Sequence, residues 1–576
     1  MPDKLFVLGD TSFERMRKRG AYFVDKTAYI RQIYEDGNYV TLITRPRRFG
    51  KTLTQSMLKS FFALNFTAPD DRTQAQALFK GLTVEKDTAF CEANLGRWPV
   101  LSLSFKDVGG NTFEDALTSL ATTLSDCVQK YAFLTTSEKL TEFQCSEMAT
   151  LQNLPNLPAS VKKEKSKAAL AAIIFAFYTV FEHSVIVLLD EYDVPLNKAR
   201  TGGYYTDMID VIREMLSRGL KDSDYLEKAV VTGCLRIAKE SVFTGLNHFD
   251  CHTISDDSLS DALGITTEEA QKVLADFGLS QYTDAVRQHY DGYRFGNREM
   301  YCPWDLLCFC RDNAGKTVGE YTNYWVNTSG NDLIKEFVHY ADEPHLLLLR
   351  DLLTGKTVTG RITEDLSFAE LNAAHSPENL LSLLYTSGYL TSVRKNADGT
   401  RELTIPNEEV RSCFKREVAD YFTPTDTYYQ AVGRDFLTAL SAGNGANANR
   451  ILQRFLLRYV SVRDTGSELF YHGIVPDLLG TALDGNLASN REAGDGYPDV
   501  SFLTPTDSTA VILEFKKAVS SDPATLRVSA QDALSQIYER QYALPFTDAG
   551  CRMIRLYGIA FSGKTCYTMQ ETQKST

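Results

Sequence analysis

The sequence predicts an α/β protein: a parallel sheet with helices on both faces at the N-terminal end, a mainly helical middle, and a second compact α/β unit at the C-terminal end. Three observations predict it. Strand-length apolar runs alternate with long helical stretches up to Thr232, which argues for parallel strands joined by helices. From 256 to 440 the pattern is mainly helical. After a Gly-, Asn- and Ala-rich segment (SAGNGANANR, 441–450), read as a linker or exposed loop, strands and helices alternate again. A chain of 576 residues has room for about three to four domains, or two large ones. We expect three, over 1–255, 256–440 and 441–576.

The first strands expected are YVTLIT (39–44) and VLSLSF (100–105). The third, VIVLL (185–189), is apolar throughout, as a strand buried on both faces should be. The fourth is AVVT (229–232). Helices are expected over 113–131, 167–182 and 208–222. Residues 151–167 carry prolines and then a charge run, and read as a surface excursion. Two short extended pieces, 389–393 and 401–405, interrupt the middle. The C-terminal unit reads as a helix (449–458), paired strands (500–503 and 510–515), a helix (530–542) and a last strand (554–561).

Composition narrows the function classes. With 43% hydrophobic and 23% charged residues the chain is globular rather than disordered. A net charge of -13 excludes a uniformly basic nucleic-acid coat, though not an enzyme with a local basic groove. The 11 cysteines show no repeated CxxC pair, so they read as buried thiols of a reducing compartment. The start, MPDKLFVLGD, has no apolar core of a signal peptide, and no apolar run is long enough to span a bilayer. A cytoplasmic protein without a membrane partner is expected.

The first chemical motif follows the first strand: Arg45-Pro-Arg-Arg-Phe-Gly-Lys-Thr52. A Walker A loop needs Gly-Lys-Ser/Thr where a helix begins, because the free backbone N–H groups there receive phosphates. Gly50, Lys51 and Thr52 match, the lysine for the outer phosphates and the hydroxyl for Mg²⁺. Arg45 stands where the first glycine of the motif belongs. The third strand ends in Asp190-Glu191, the arrangement in which the Asp holds the metal and the Glu polarises the attacking water. The fourth strand runs into Gly-Cys-Leu-Arg236. Thr232 and Arg236 are candidates to sense the γ-phosphate, and each reads equally well as a strand-end hydrogen bonder or a surface ion pair.

Longer segments carry a resemblance: YFVDKT (22–27), RPRRFGKT (45–52), LLDEYDVPL (188–196), VVTGCLRIAKESVFTGLNHF (230–249), YDGYRFG (290–296) and YWVNTSGND (324–332). In these the chain resembles the AAA-ATPase-like proteins of bacteria and archaea, which typically end in a PD-(D/E)XK nuclease-like domain. The resemblance implies a P-loop fold of the additional-strand class, with the sensor strand between the Walker A and Walker B strands. It also implies a helical lid or linking region and then a restriction-endonuclease-like fold. An arginine at the first Walker glycine is usual in the family. Arg45, Arg47 or Arg48 then contacts phosphate through its side chain where glycine would give backbone approach.

The C-terminal end also has a chemistry of its own. Asp499 precedes a strand, and the next strand carries Glu514-Phe515-Lys516. Side chains alternate along a strand, so Glu514 and Lys516 share a face. Asp499 and Glu514 suit Mg²⁺ or Mn²⁺ as oxygen ligands, and Lys516 suits the attacking water. The resemblance adds Gln536, on the following helix, and Glu468, where the first helix of such folds often supplies an acidic ligand. Lys516, Lys517, Arg491 and Arg540 are candidates for a local basic groove.

Three functions compete. The first is an ATPase whose nucleotide state controls metal-dependent cleavage of nucleic acid, DNA being the expected substrate and genome defence or mobile-element control a suitable role. The second is a nucleotide-gated binding or assembly protein with a silent nuclease fold. The third is an ATPase switch whose C-terminal fold is an oligomer contact.

Overall fold

The computed structural model describes residues 6–221, 223–236, 249–316, 321–324, 343–353, 355–364, 376–422, 426–459, 468–483, 488–489, 498–504 and 509–574. The chain divides into two compact units: Met1–Ile334 with Asp351–Lys415, and Lys335–Arg350 with Arg416–Thr576.

The first unit is built on a five-stranded parallel sheet. In chain order its elements are β1 (Val40–Thr44), α1 (Lys51–Phe62), β2 (Val100–Ser104), α2 (Phe113–Lys130), α3 (Ala159–Phe181), β3 (Val185–Asp190), α4 (Tyr205–Leu220), β4 (Leu226–Gly233) and β5 (Phe249–His252). The strand order is β2-β3-β4-β1-β5, and every pairing is parallel. β4 therefore lies between β3 and β1, the place the resemblance implies for a sensor strand. β3 is buried along its whole length, which accounts for its unbroken apolar run. Ile43, Ile186, Leu188 and Val230 meet Met57, Leu58 and Phe61 of α1 in one core, so burial of its apolar face holds α1 on the sheet.

The charge run expected as a surface excursion is the first half of α3. Its lysines are held by partners from elsewhere in the chain. Lys162 donates to Thr118 at 2.9 Å, Lys165 pairs with Glu147 at 3.4 Å, and Lys167 pairs with Asp210 at 2.9 Å and Glu214 at 3.0 Å. Straight-chain lysines are good helix formers, and their stems cover neighbouring helices while the heads meet carboxylates.

The middle of the chain is mainly helical and also carries two three-stranded sheets. One is formed by β6 (Ile265–Thr266), β7 (Tyr293–Phe295) and β8 (Arg298–Tyr301), and α5 (Pro303–Asn313) follows it. The other is formed by β9 (Val358–Gly360), β10 (Thr391–Lys395) and β11 (Arg401–Thr404). The first sheet braces the phosphate loop. The buried ring of Phe49 packs against Tyr293 (5.0 Å between centroids) and Phe295 (4.9 Å). The YDGYRFG segment thereby acquires a physical role.

The second unit holds α6 (Asp426–Ser441), α7 (Gly445–Tyr459), α8 (Glu468–Leu483), β12 (Ala488–Ser489), β13 (Val500–Leu503), β14 (Thr509–Lys517), α9 (Pro523–Glu539), β15 (Met553–Ser562) and β16 (Thr565–Lys574). Its mixed sheet has the order β12-β13-β14-β15-β16, with β14 and β15 parallel and the other pairings antiparallel. Of the segment expected as a linker, only 442–444 form a tight turn between α6 and α7, and 445–450 begin α7. Asn444 accepts from the backbone N–H of Asn447 at 3.0 Å as a helix start requires. The final strand expected at 554–561 is followed by one more, β16. Val511, Leu513 and Phe515 face the core beneath α6, α7 and α8, whereas Ala510 and Ile512 face α9. The same alternation turns Glu514 and Lys516 to the α9 side.

Candidate nucleotide and nuclease sites

The phosphate loop begins at the end of β1, where the N–H of Arg45 donates to the carbonyl of Gly233 at 3.2 Å. Arg45 is fully buried. Its guanidinium donates to the carbonyls of Thr44 (2.8 Å), His252 (2.9 Å) and Leu259 (2.7 Å) and lies 5.3 Å from the Phe295 ring. The residue in the first glycine's place thus ties the loop to the strand ends around it. Gly50 takes a left-handed conformation (φ 88°) and caps α1. Lys51 is buried, and its ammonium donates to the carbonyls of Arg45 (2.8 Å) and Pro46 (2.9 Å), with the Cys234 sulfur at 3.4 Å.

The carboxylate of Asp190 joins three chain segments. Its Oδ2 accepts from the Thr52 hydroxyl at 2.7 Å, and its Oδ1 accepts from the Thr232 hydroxyl at 2.5 Å. Gln55, one turn beyond Lys51, donates to the carbonyls of Leu189 (3.2 Å) and Val230 (3.0 Å) and to the Thr232 hydroxyl (3.3 Å). Glu191 sits at φ 55°. Burial and then the neighbouring Asp190 charge push its carboxyl above the ordinary range, while Lys51 pulls the other way. Asp193 is buried and accepts from the backbone N–H groups of Cys234 and Leu235, both at 3.0 Å.

The arginines divide. Arg47 is half-buried, and its charge stabilises the ionised forms of Glu191 and Cys234. Arg48, at φ 67°, turns toward the middle region, where its guanidinium donates to the Tyr324 carbonyl and lies 4.8 Å from the Trp304 ring. Arg236 is half-buried with its Nε enclosed, and its charge acts on the Cys251 thiol.

In the second unit, Asp499 and Glu514 are both buried. The Phe515 N–H donates to Oδ2 of Asp499 at 2.7 Å, and the Asp499 N–H approaches Oε2 of Glu514 at 3.4 Å. The Gln536 amide donates to Oε1 of Glu514 and reaches the Tyr542 hydroxyl at 3.5 Å. Lys516 is half-buried and Lys517 exposed. Glu468 opens α8, and its side chain lies outside the described residues, as does Arg491.

Comparison with protein families agrees with this division. Residues 7–243 match the family model described as Predicted AAA-ATPase, and residues 466–571 match that of the PD-(D/E)XK nuclease superfamily. The chain carries an AAA-ATPase-like domain followed by a PD-(D/E)XK nuclease superfamily domain. It is also 27% identical, over 436 residues, to an uncharacterized protein in the vnfD 5′ region of Azotobacter chroococcum mcd 1, covering 74% of this chain and 72% of that one.

The AAA-ATPase-like domain presents an oxygen set suited to Mg²⁺, with the Thr52 hydroxyl and the Asp190 carboxylate in contact. The nuclease superfamily domain presents two adjacent buried carboxylates, also suited to a hard cation. Among the described residues no group of three His, Cys, Asp or Glu side chains is placed to hold a metal. No helix is long and apolar enough to cross a membrane, among the residues described. Sequence reasoning missed Gln55 and Asp193. Gln55 had a signal, since it follows Lys51 by four residues on the same helix face. Asp193 had a weaker one, as the third acid within four residues.

Proposed function

We propose that the chain binds and hydrolyses ATP in its first unit, and that its nucleotide state controls a metal-dependent nuclease in its second. The observation that carries this reading is the pairing of two oxygen constellations in one chain: Thr52–Asp190–Thr232 at the end of the parallel sheet, and Asp499–Glu514–Gln536 beside α9. In the first, Gly50 and the start of α1 receive phosphate, Lys51 leaves its loop carbonyls for the outer phosphates, and Glu191 orients water. Arg47, Thr232 and Arg236 complete the phosphate end, and Arg48 joins them if it leaves Trp304. In the second, Phe515 N–H and the Gln536 amide fix the two carboxylates, and Lys516 orients or deprotonates the attacking water. Asp499 and Glu514, with Glu468 as a further ligand, would hold a Mg²⁺ or Mn²⁺ ion, which would supply Lewis-acid polarisation of the scissile phosphodiester. The substrate class is nucleic acid, DNA first, and the setting is the cytoplasm, in defence or mobile-element control.

The test is cleavage of labelled single- and double-stranded DNA and RNA with Mg²⁺ or Mn²⁺, with and without ATP. Metal-dependent products should appear with the wild type, vanish in Lys516→Ala, and lose their ATP response in Lys51→Ala. If both variants cut like the wild type, the proposal fails. One observation favours a second reading, a nucleotide-gated binder with a silent nuclease fold: protein donors already occupy an oxygen of each carboxylate. Metal-independent binding of nucleic acid without any product would support that reading.

A further inference from the structure

We propose that Asp193 is a positioning residue of the ATPase site: it fastens the end of the sensor strand to the Walker B turn, so that Thr232 and Glu191 move as one body. The inference rests on the reading of the first unit as an ATPase. It starts from where the sheet stops. The last residue of β4 paired with β1 is Gly233, opposite Thr44, and the last paired with β3 is Val231, opposite Leu189. Among the described residues no strand pairs with the chain beyond Gly233. Its next two N–H groups, on Cys234 and Leu235, both donate to Oδ2 of Asp193 at 3.0 Å.

Tyr192 works beside it. Its N–H donates to the Thr232 carbonyl at 3.1 Å, and its hydroxyl donates to the Leu235 carbonyl at 2.8 Å. Segment 190–193 and segment 232–235 are therefore joined by the Asp190–Thr232 bond, the two Tyr192 bonds and the two Asp193 bonds. Gly233 shows how closely they lie. A Cβ there would come within 2.7 Å of the Tyr192 ring and 2.8 Å of Oδ1 of Asp193.

The clasp has a purpose at Glu191. This residue holds φ at 55°, a conformation a side chain with a Cβ keeps only when its surroundings enforce it. The enforcing bonds come from Tyr192 and Asp193, the two residues that follow it. The Cys234 sulfur, 3.4 Å from the Lys51 ammonium, rides on the clasped segment. A shift of Lys51 toward phosphate is thus felt on the strand that bears Thr232.

The experiment compares ATP turnover, affinity for a fluorescent ATP analogue, and hydrogen exchange at residues 233–236 in wild type, Asp193→Ala and Asp193→Asn. Asp193→Ala should lower kcat about tenfold or more while nucleotide affinity stays within about threefold, because it disturbs the placement of Glu191 rather than the phosphate cradle. The amides of Cys234 and Leu235 should exchange faster. Asp193→Asn keeps an acceptor oxygen for both amides and should restore kcat to within about threefold. If Asp193→Ala does not fold, Tyr192→Phe removes one bond of the clasp and should lower kcat by about threefold at unchanged affinity. Wild-type kcat in the Ala variant overturns the inference, as does a kcat loss matched by an equal loss of affinity and not rescued by Asn. A wild type that turns over no more ATP than Lys51→Ala sinks the ATPase reading itself, and this inference with it.

Discussion

Gly558 of β15 lies directly opposite Glu514 of β14 in their parallel pairing. On the same face α9 passes so close that a Cβ at Gly558 would fall 2.2 Å from the Ala530 carbonyl oxygen and 2.7 Å from the Leu534 nitrogen. Both are helix backbone and cannot swing aside. The absence of a side chain at 558 lets α9 settle on the sheet, and that settling brings Gln536 to Glu514.

Gly558→Ala should therefore do two things. It should cost about 1–3 kcal/mol of stability by overpacking, read as a lower melting temperature. It should also weaken Mn²⁺ binding to the protein by calorimetry, since a displaced α9 withdraws the Gln536 amide that orients Glu514. A Gly558→Ala protein with wild-type melting and metal affinity would show that α9 is free to move.

Arg45 leads to a less intuitive expectation. Arg45→Gly restores the common first glycine of a Walker A loop, yet it should weaken nucleotide binding rather than strengthen it. The substitution removes a fully buried guanidinium and strands the carbonyls of Thr44, His252 and Leu259 that it satisfies. Burial pulls the Arg45 pKa down to about 10, so it remains charged at neutrality. The loss should be about 3 kcal/mol or more, since each buried acceptor left unsatisfied costs about 1–3 kcal/mol. Thermal melting and titration with ATP check it together: a tighter-binding, equally stable Arg45→Gly would refute it.

Thr232→Val tests the sensor strand alone. Valine fills the same space but leaves Oδ1 of Asp190 without its hydroxyl donor, while Gln55 keeps the carbonyls of Leu189 and Val230 as acceptors. We expect ATP turnover to fall by about tenfold, equivalent to one buried hydrogen bond, with ATP affinity nearly unchanged. Steady-state kinetics beside nucleotide titration separates the two quantities.

The parts of this molecule legible in its sequence are those whose signal is local. β3 is apolar throughout because it is buried throughout, and the Gly50–Thr52 and Asp190–Glu191 motifs sit at strand ends that their own residues announce. What escaped depended on distant partners. The lysines of α3 read as solvated surface because the acids that hold them, Glu147, Asp210 and Glu214, lie elsewhere in the chain. β16 escaped because an edge strand with one exposed side, TCYTMQETQK, has little apolar alternation. The turn at 442–444 resembled a linker because the glycines and asparagines that cap helices also compose loops. Asp193 shows in sequence only as the third acid within four residues, because its partners are backbone N–H groups, which every residue but proline carries alike.

Asp291, in the segment that braces the phosphate loop, should make stability depend on pH. It is 3% exposed, and burial pushes its carboxyl up to about 6, against which the Tyr301 hydroxyl and Arg287, 3.5 Å away, pull only partly. A carboxyl with a raised folded pKa binds its proton more tightly in the native state than in the unfolded chain. Its favourable contribution is complete below about pH 4 and is lost as pH rises through about 6. At neutral pH the ionised Asp291 then costs at most about 3 kcal/mol relative to its protonated form. Asn carries no such charge at any pH. The melting temperature of Asp291→Asn should match the wild type near pH 4 and rise above it progressively to about pH 6.5, where the difference levels off. Taking the difference between the two proteins cancels every other titration they share. A gap that is constant across pH 4 to 8, or that widens toward acid, would mean that Asp291 is ionised in the fold throughout.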